Sequence, residues 1–440
     1  MGIGTAAKPR WGIFFACVVT RIGSAQLIAR QERLMARHPS LALLRRILGS
    51  VGLSLCLGLA ALGPSHAQND GGAEFRRFVE QLWPDARRRG ISRATFDGAF
   101  RGVTPDPKII ALTRKQSEFV RPIWDYIDGA VSAQRLERGR QIASEWANTL
   151  ARVERTYGVP SSVVLGVWGM ETNFGSFTGS TYVVRALATL AYTGYRGAFF
   201  RDELLVALQI LQQGHVERSV MLGSWAGAMG QTQFMPSSFV KYAVDGNGDG
   251  RRDIWRSVPD ALASTANYLR QHGWKPGLPW GFEVELPEGF DFRNHRHGFQ
   301  AWRGLGLRRV DGKPFPSSGE ATLFVPGGAR GPAFLVTDNY LVIKAYNSSD
   351  AYAMGVAHLG DRLFGGKPIQ GDWPKEPMLG RDQRQEVQQH LAGLGFYEGE
   401  TDGKFGTKTR EAVRNFQLER GLIPDGYVNA ALLRELRTVR

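Results

Sequence analysis

The feature that most constrains the fold is a helical spacing of apolar residues that recurs through much of the chain. It is clearest where apolar side chains follow one another every three or four residues, at Ile142, Trp146, Leu150, Val153 and Tyr157. Gly158 and Pro160 are expected to end that helix, and Ser161 or Ser162 to cap the next one. Similar spacing predicts helices over residues 183–192, 199–213 and 259–271. The chain is therefore predicted to be mainly α-helical.

The pattern changes between residues 281 and 345. Short alternating or β-branched runs occur there, at residues 282–286 and 341–343, and glycine and proline separate them. This texture predicts a small strand-rich insertion. A linker rich in Gly, Pro and Lys follows, and the chain ends in a segment with helical spacing and two Asp-Gly turns, which predicts a small three-helix module.

The first 67 residues are predicted to be a leader. An apolar stretch over residues 47–62 follows Arg45 and Arg46 and is followed by Ser-His-Ala ending at Ala67, a layout typical of a cleavable secretory signal. Because Met35 begins a well-formed signal, we place the true start there. A membrane anchor is the alternative, but the stretch is shorter than the roughly 20 residues needed to span a bilayer. The prediction is a periplasmic protein without a membrane span in its mature chain.

Both cysteines, Cys17 and Cys56, fall in this leader. The mature chain would then contain no cysteine, which excludes a disulfide and a thiol nucleophile. A lipid-modified start at Cys56 is an alternative, but Leu55 stands where lipoprotein signals carry a small residue.

The charge balance points to an anionic partner. The formal net charge is +14, and removing the leader takes away eight basic residues and one acidic residue, which leaves +7. A basic exported protein suits a polyanion, and the cell wall qualifies as well as nucleic acid does. We find no basic helix interleaved with aromatic residues, so nucleic acid is not predicted as a partner.

A single carboxylate stands out in the apolar stretch VVLGVWGMETNFG, residues 163–175. Helical spacing places Val164, Val167 and Trp168 on the same face as Glu171. Poor solvation raises a carboxyl pKa, which would keep Glu171 protonated at neutral pH and able to protonate a glycosidic oxygen. The alternative is a glutamate that ends its helix in solvent.

A second stretch, GSWAGAMGQTQFMPSSF at residues 223–239, is a loop rich in glycine and amides. Its small residues let the backbone approach a ligand closely, and Gln231 and Gln233 can bond to sugar hydroxyl and acetamido groups. The alternative is a tight packing loop between helices.

Together with NYLVIKAYNSSDAYA at residues 339–353, these motifs make the chain, from about residue 75 to residue 365, resemble the lytic murein transglycosylase B family. The resemblance implies a lysozyme-like helical core that cleaves the β-1,4 bond between N-acetylmuramic acid and N-acetylglucosamine in peptidoglycan glycan strands. Cleavage without water would leave a 1,6-anhydromuramic end. The resemblance further implies Glu171 as the single acid and base. It implies sugar contacts from Ser224, Gln233, Tyr268, Tyr340 and Tyr346.

The count of carboxylates agrees with that chemistry. Ordinary retaining and inverting glycosidases need a second Asp or Glu at a defined distance, and none accompanies Glu171 in its motif. No cofactor is expected for catalysis. Two alternatives stay open: a muramidase that hydrolyses the same bond with water, and a non-catalytic protein that binds the wall as a scaffold.

A third motif, DGNGDGRRDIW at residues 245–255, matches a calcium loop, with oxygen-bearing side chains at positions one, three, five and nine and Gly250 at position six. Position twelve is Arg256 instead of glutamate, although Asp260 is close enough in sequence to close the site. Related enzymes of the family hold a metal there, which implies a structural Ca²⁺ in the loop over residues 245–253. The implied ligand set is Asp245, Asn247, Asp249, Arg251 and Asp260. The alternative is an Asx/Gly turn that folds unaided.

The last segment carries DGKFGTKTREAVRNFQ at residues 402–417 and GLIPDG at residues 421–426, which resemble a peptidoglycan-binding module. The resemblance implies a wall anchor that raises the local substrate concentration. A docking or dimerisation domain is the alternative. The predicted division is a leader over residues 1–67, a catalytic domain over 68–365, a linker over 366–380 and a peptidoglycan-binding domain over 381–440. Proteins of cell-wall synthesis or division are open as further partners.

Overall fold

The computed structural model of the protein describes residues 70–114 and 121–439. The predicted leader, with both cysteines, Met35 and the cleavage site at Ala67, lies outside the described residues. Within the described ranges, no helix combines the length and the apolar character needed to cross a membrane.

Helices dominate the described residues, as the sequence predicts. There are seventeen of them: α1 (Asp70–Arg88), α2 (Arg93–Phe100), α3 (Pro107–Arg114), α4 (Ile123–Ala130), α5 (Ala133–Glu145), α6 (Ala147–Tyr157), α7 (Ser161–Thr172), α8 (Val183–Tyr192), α9 (Phe199–Gln212), α10 (Pro236–Tyr242), α11 (Val258–Gln271), α12 (Phe299–Gly304), α13 (Asp338–Tyr346), α14 (Asp350–Leu363), α15 (Arg381–Gly393), α16 (Thr407–Glu419) and α17 (Ala430–Thr438). The predicted mainly helical fold is confirmed.

The strands form two antiparallel sheets. A two-stranded sheet pairs β1 (Thr181–Tyr182) with β2 (Leu222–Gly223). The second sheet has the order β4-β6-β7-β3-β5 and is built from β3 (Gly281–Glu285), β4 (Arg296–Gly298), β5 (Arg308–Arg309), β6 (Glu320–Phe324) and β7 (Ala333–Val336). Its register pairs Phe282 with Leu335, and both side chains enter a separate small core. This sheet is the predicted strand-rich insertion.

The β-branched run over residues 341–343 was predicted as part of that insertion, and this prediction is wrong. The run lies inside α13, which begins after Thr337, whose side chain accepts a hydrogen bond from the Asn339 amide. Asp338 adds a negative charge in the first turn, where it favours a helix. A cap and buried packing outweigh the strand preference of three residues.

Two local predictions around α7 also need correction. The helix predicted through Ile142 and Tyr157 is interrupted at Trp146, which has φ −103° and separates α5 from α6. Pro160, and neither Ser161 nor Ser162, occupies the N-cap of α7. The Ser161 amide and hydroxyl instead bond to the Glu154 carboxylate of α6, at 3.0 and 2.7 Å.

Helix α7 is the centre of the main core, with every residue from Val163 to Thr172 buried. A helix that is apolar all round must be enclosed by other elements. Its closest neighbour is α14, because a Cβ at Gly166 would collide with the Val356 carbonyl and one at Gly360 with the Ser162 carbonyl. These two pairs show that α7 and α14 run antiparallel with their backbones in close approach. The packing brings the C-terminal end of α7 against the first turns of α14.

The C-terminal module has its own apolar core. Its buried residues include Val387, Leu391, Val413, Phe416, Leu433 and Leu436. Both predicted Asp-Gly turns are held by buried glutamines: the Gly403 amide donates to Gln388 Oε1 at 2.7 Å, and the Gly426 amide to Gln417 Oε1 at 2.8 Å. Both glycines have positive φ, which explains why these turns need glycine. The predicted three-helix module is confirmed.

Candidate active site

Glu171 lies one residue before the end of α7 and is only 5% exposed. Burial removes water from the carboxyl and raises its pKa to about 8, since the charged form is the one that loses solvation. One hydrogen bond opposes this shift: the Tyr352 hydroxyl donates to Glu171 Oε1 at 2.7 Å and lowers the pKa. The carboxyl therefore holds its proton at neutral pH. The predicted poor solvation of Glu171 is confirmed.

Four tyrosines from four helices surround this carboxyl: Tyr126, Tyr268, Tyr346 and Tyr352. Burial raises the pKa of each hydroxyl, and the Glu171 charge adds to that rise. All four hydroxyls therefore stay neutral and can act as hydrogen-bond donors near the carboxyl. Two of them are tied to the backbone, because Tyr268 donates to the Ala345 carbonyl at 2.8 Å and Tyr346 to the Thr232 carbonyl at 2.7 Å. The arrangement fixes the walls around Glu171.

Glu171 faces a narrow cleft. The other lining residues are Gln233, Phe234, Met235, Ser238, Tyr268, Tyr346 and Asn347. Among the described residues that line it, Glu171 is the only acidic one. Any acid and base chemistry in this cleft must therefore use one carboxyl group for both roles, or take the second role from the ligand.

The glycine-rich loop brings Gln233 into the cleft. Gln233 has φ 51°, in the left-handed region, and its side-chain amide donates to the carbonyls of Thr178 at 3.1 Å and Gly230 at 2.9 Å. The loop is joined to the end of α7 because the Thr172 hydroxyl donates to the Gln231 carbonyl at 3.1 Å. These bonds hold one wall of the cleft at a fixed position relative to Glu171.

Ser224 and Tyr340 are not among the residues that line the cleft. The Ser224 hydroxyl accepts from the Ala228 amide at 3.0 Å, so it closes its own loop. Tyr340 is 2% exposed and donates to Asp350 Oδ1 at 3.0 Å. Tyr346 follows Tyr340 by six positions on α13, a rotation of about 240°, so the two rings face different sides of that helix. The structure brings Gln233, Tyr268 and Tyr346 to Glu171 and places the other two predicted residues elsewhere.

Tyr352 and Asn347 were missed by the sequence analysis. Both lie inside the motif NYLVIKAYNSSDAYA at residues 339–353, so that motif located the right segment. The pattern alone does not show that the Tyr352 side chain crosses to another helix, since that contact depends on the close approach of α7 and α14.

The three carboxylates among the predicted metal ligands, Asp245, Asp249 and Asp260, do not gather into one metal site. The Asp245 carboxylate accepts the backbone amides of Gly248, Asp249 and Gly250. The described ranges contain no group of three or more His, Cys, Asp or Glu side chains that could hold a metal ion. Asp245, Asp249 and Asp253 supply carboxylates at positions one, five and nine, but Arg256 supplies none at position twelve. The loop therefore lacks the position-twelve carboxylate of a complete calcium loop.

Asp260 has a structural position beneath the loop. It is fully buried and accepts the Gly246 amide at 3.0 Å and the Asp253 amide at 2.7 Å, so it joins both ends of the loop to α11. The loop also touches the cleft wall, because the Gln231 amide donates to the Ile254 carbonyl at 2.8 Å. The loop thus connects the cleft wall formed by the glycine-rich loop with Gln233 to α11, the helix that carries Tyr268.

Comparison with known proteins agrees with this geometry. The family model described as Transglycosylase SLT domain matches residues 74–361, and the model for a peptidoglycan binding domain matches residues 380–436. Membrane-bound lytic murein transglycosylase B of Escherichia coli (strain K12) is 33% identical over 240 residues, which are 53% of this chain. The chain matches 65% of the length of that relative, just under two thirds.

Solved structures match a larger share of the chain. SltB3 from Pseudomonas aeruginosa, in complex with NAG-anhNAM-pentapeptide, is 48% identical, with a TM-score of 0.77, and the match covers 82% of this chain and 99% of that one. The Escherichia coli lytic transglycosylase Slt35, in complex with calcium, is 27% identical, with a TM-score of 0.55, and the match covers 69% of this chain and 95% of that one.

Proposed function

Because the chain belongs to the transglycosylase SLT domain family, we propose that it is a lytic transglycosylase acting on the glycan strands of peptidoglycan. The bond cleaved is the β-1,4 bond between N-acetylmuramic acid and N-acetylglucosamine. The observation that carries the proposal is a buried carboxyl, whose pKa burial raises to about 8, in a cleft whose described lining contains no second acid. Family enzymes are expected to need one acid and base, and this cleft offers one.

In the first step, Glu171 donates its proton to the bridging oxygen. The bond between that oxygen and C1 of the muramic residue breaks, and the electron pair leaves with the oxygen. Ordinary glycosidases place a second carboxylate at C1. Here the acetamido oxygen of the substrate takes that place and stabilises the positive charge at C1.

In the second step, the ionised Glu171 acts as base. It takes the proton from the muramyl C6 hydroxyl while that oxygen attacks C1, which closes the 1,6-anhydro ring and restores the protonated carboxyl. The Tyr352 hydroxyl stabilises the carboxylate that the first step leaves behind, because its hydrogen bond to Oε1 favours the ionised form. A pKa of about 8 leaves both forms accessible near neutral pH.

Gln233, Tyr268 and Tyr346 are proposed to contact the sugars, since they line the cleft beside Glu171. Ser224 and Tyr340 are proposed to stabilise the surrounding structure without contacting the sugars. Ser224 closes the loop that carries Gln233, and the Tyr340 hydroxyl donates to Asp350.

Product analysis tests the reaction. Purified protein is incubated with sacculi, and the soluble products are identified by mass spectrometry. The proposal predicts anhydromuramic ends, which are lighter by one water than the hydrolytic product. Reducing muramic ends would show a hydrolytic muramidase instead. Binding without any soluble product would show a wall-binding scaffold.

Replacing Tyr352 with phenylalanine is expected to lower kcat on sacculi by about ten- to a hundredfold. The variant loses the hydrogen bond that stabilises the Glu171 carboxylate formed when the proton is donated in the first step. Loss of this donor also raises the Glu171 pKa further, so the alkaline limb of the pH profile should move to higher pH. Turnover measured across pH checks both effects.

Tyr182→Phe is the matched control, because its hydroxyl donates to the Ala99 carbonyl at 3.1 Å and does not line the cleft. Equal losses in the two variants, or an unmoved alkaline limb in Tyr352→Phe, would contradict the assigned role of Tyr352.

The acidic loop is proposed to bind Ca²⁺ weakly and to use it for stability alone. Asp245, Asn247 and Asp249 supply side-chain oxygens and Gly250 has the required positive φ, but no carboxylate stands at position twelve. Millimolar Ca²⁺ is therefore expected to raise the Tm by a few degrees over a chelated sample, while kcat stays unchanged. Thermal unfolding and turnover with calcium or a chelator check this.

A double variant, Asp245→Asn with Asp249→Asn, should lose the calcium-dependent rise in Tm. A fall of kcat on chelation, at a temperature where the protein stays folded, would show that the ion has a role in the reaction.

The C-terminal module is proposed to bind peptidoglycan, and the protein to act in the periplasm after removal of its leader. The family match over residues 380–436 supports the first part, and the location of peptidoglycan outside the cytoplasmic membrane supports the second. Proteins of cell-wall synthesis or division are proposed as further partners.

A further inference from the structure

The C-terminal module contacts the catalytic domain through a charged pair. Arg410 of α16 forms an ion pair with Asp350, the first residue of α14. The side chains are 28% and 10% exposed, so the pair is largely shielded from water. The Arg410 guanidinium also lies 5.3 Å from the centre of the Phe324 ring of β6. Arg410 therefore joins three parts of the molecule at one point.

Asp350 is bound by two further donors. Lys344 Nζ lies 2.7 Å from Oδ1, and the Tyr340 hydroxyl donates to the same oxygen at 3.0 Å. Burial, and then the positive charge of Arg410, lower the pKa of Lys344 to about 7. Two basic side chains share the Asp350 carboxylate in a region where electrostatic interactions are stronger than in water. Loss of one partner would leave this cluster incompletely paired.

The charged cluster around Asp350 lies where α13 is followed by α14, and both helices carry residues of the active site. Asp350 precedes Tyr352, whose hydroxyl bonds to Glu171, by two residues on α14. Lys344 precedes Tyr346 by two residues on α13, and Tyr346 and Asn347 line the cleft. A shift of the Asp350 backbone would therefore move residues on both sides of the cluster that touch the catalytic carboxyl or its cleft.

We propose that Arg410 is a positioning residue for catalysis: its pairing with Asp350 fixes the start of α14 and so holds the Tyr352 hydroxyl on Glu171. The proposal rests on the proposed function of Glu171. It gives the module a second role, since a pure anchor needs no contact with the helices that carry the cleft. Other contacts attach the module elsewhere, because Arg414 donates to the Phe292 carbonyl at 3.0 Å and Asp425 accepts from the Ala329 amide at 2.9 Å, both on the strand-rich insertion.

The test uses the full chain and a soluble tetrasaccharide of alternating N-acetylglucosamine and N-acetylmuramic acid, which a wall anchor cannot concentrate. Arg410→Gln is expected to lower kcat by about tenfold with KM nearly unchanged, because the mutation disturbs positioning and leaves the sugar contacts in place. Arg410→Lys should recover part of that loss, since it keeps the charge. Arg420→Gln is the matched control, because Arg420 caps the same helix and pairs with Glu435 inside the module.

Failure of the proposed function and failure of the Arg410 proposal give different results. An inactive wild-type chain would overturn the proposed function and this inference with it. An active wild type with an equally active Arg410→Gln variant would overturn the inference alone and leave the module as an anchor. Circular dichroism checks that each variant is folded. If Arg410→Gln unfolds, Asp350→Asn replaces it, with the same expected loss of kcat, because asparagine keeps an acceptor for Tyr340 and removes the charge that Arg410 needs.

Discussion

Glu171→Gln is expected to lower turnover of peptidoglycan by about a thousandfold to ten-thousandfold. Glutamine keeps the shape of the side chain and can still accept the Tyr352 hydrogen bond, but it has no proton to donate and cannot act as a base. No other acidic residue in the described lining of the cleft could take over either step. Product release from sacculi, followed by mass spectrometry, measures the loss.

The same variant should not be less stable. The Glu171 pKa is near 4.5 in the unfolded chain and about 8 in the folded one, so folding is favoured by protonation, and the wild type loses stability as pH rises through this window. Glutamine does not titrate, so the Tm difference in favour of Glu171→Gln should grow between these two pH values. The exposed Glu137 on α5, changed to glutamine, serves as control. Turnover close to the wild-type value in Glu171→Gln would remove Glu171 from the mechanism.

Gly166→Ala is expected to lower the free energy of unfolding by about 3 kcal/mol, at the upper end for overpacking. The added Cβ would overlap the Val356 carbonyl of α14, and backbone atoms cannot move aside as a flexible side chain can. Separation of α7 from α14 would also pull Tyr352 away from Glu171, so activity should fall as well. Denaturant-induced unfolding measures the change in stability.

Gly98→Ala is the matched control for this substitution. Gly98 lies inside α2, and a Cβ there would have no atom within 4 Å. The substitution should therefore raise stability, by up to about 1 kcal/mol, because alanine is the better helix former. Equal effects at Gly98 and Gly166 would contradict the close approach of α7 and α14.

Sequence periodicity was sufficient to predict those helices and strands that bury one face in the core. The helix predicted over residues 183–192 coincides with α8, and the run at residues 282–286 overlaps β3. It failed at residues 341–343, where a cap at Thr337 and a buried environment determined the conformation. Three β-branched or apolar residues are too few to distinguish a strand from a buried helix by pattern alone.

The residues of the candidate active site also divide into those that local sequence could predict and those that it could not. The apolar neighbours of Glu171 in its own helix were enough to predict its burial, because they lie one turn away along the sequence. Tyr352 could not be selected, since it reaches Glu171 from a helix 181 residues later in the chain. Tyr340 was selected by motif, but its side chain turns towards Asp350. Oxygen spacing predicted calcium binding by the loop at residues 245–253, but it did not predict that the Asp245 carboxylate accepts backbone amides, because those bonds depend on the folded loop.

The central claim is that Glu171 keeps its proton at neutral pH because the fold withholds water from it. Infrared difference spectroscopy between the wild type and Glu171→Gln, over a pH titration, isolates the C=O band of this one carboxyl group. The account predicts that the band of the protonated acid persists through neutral pH and disappears with a midpoint near 8. A midpoint near 4.5, the value of a solvated glutamate, would contradict it.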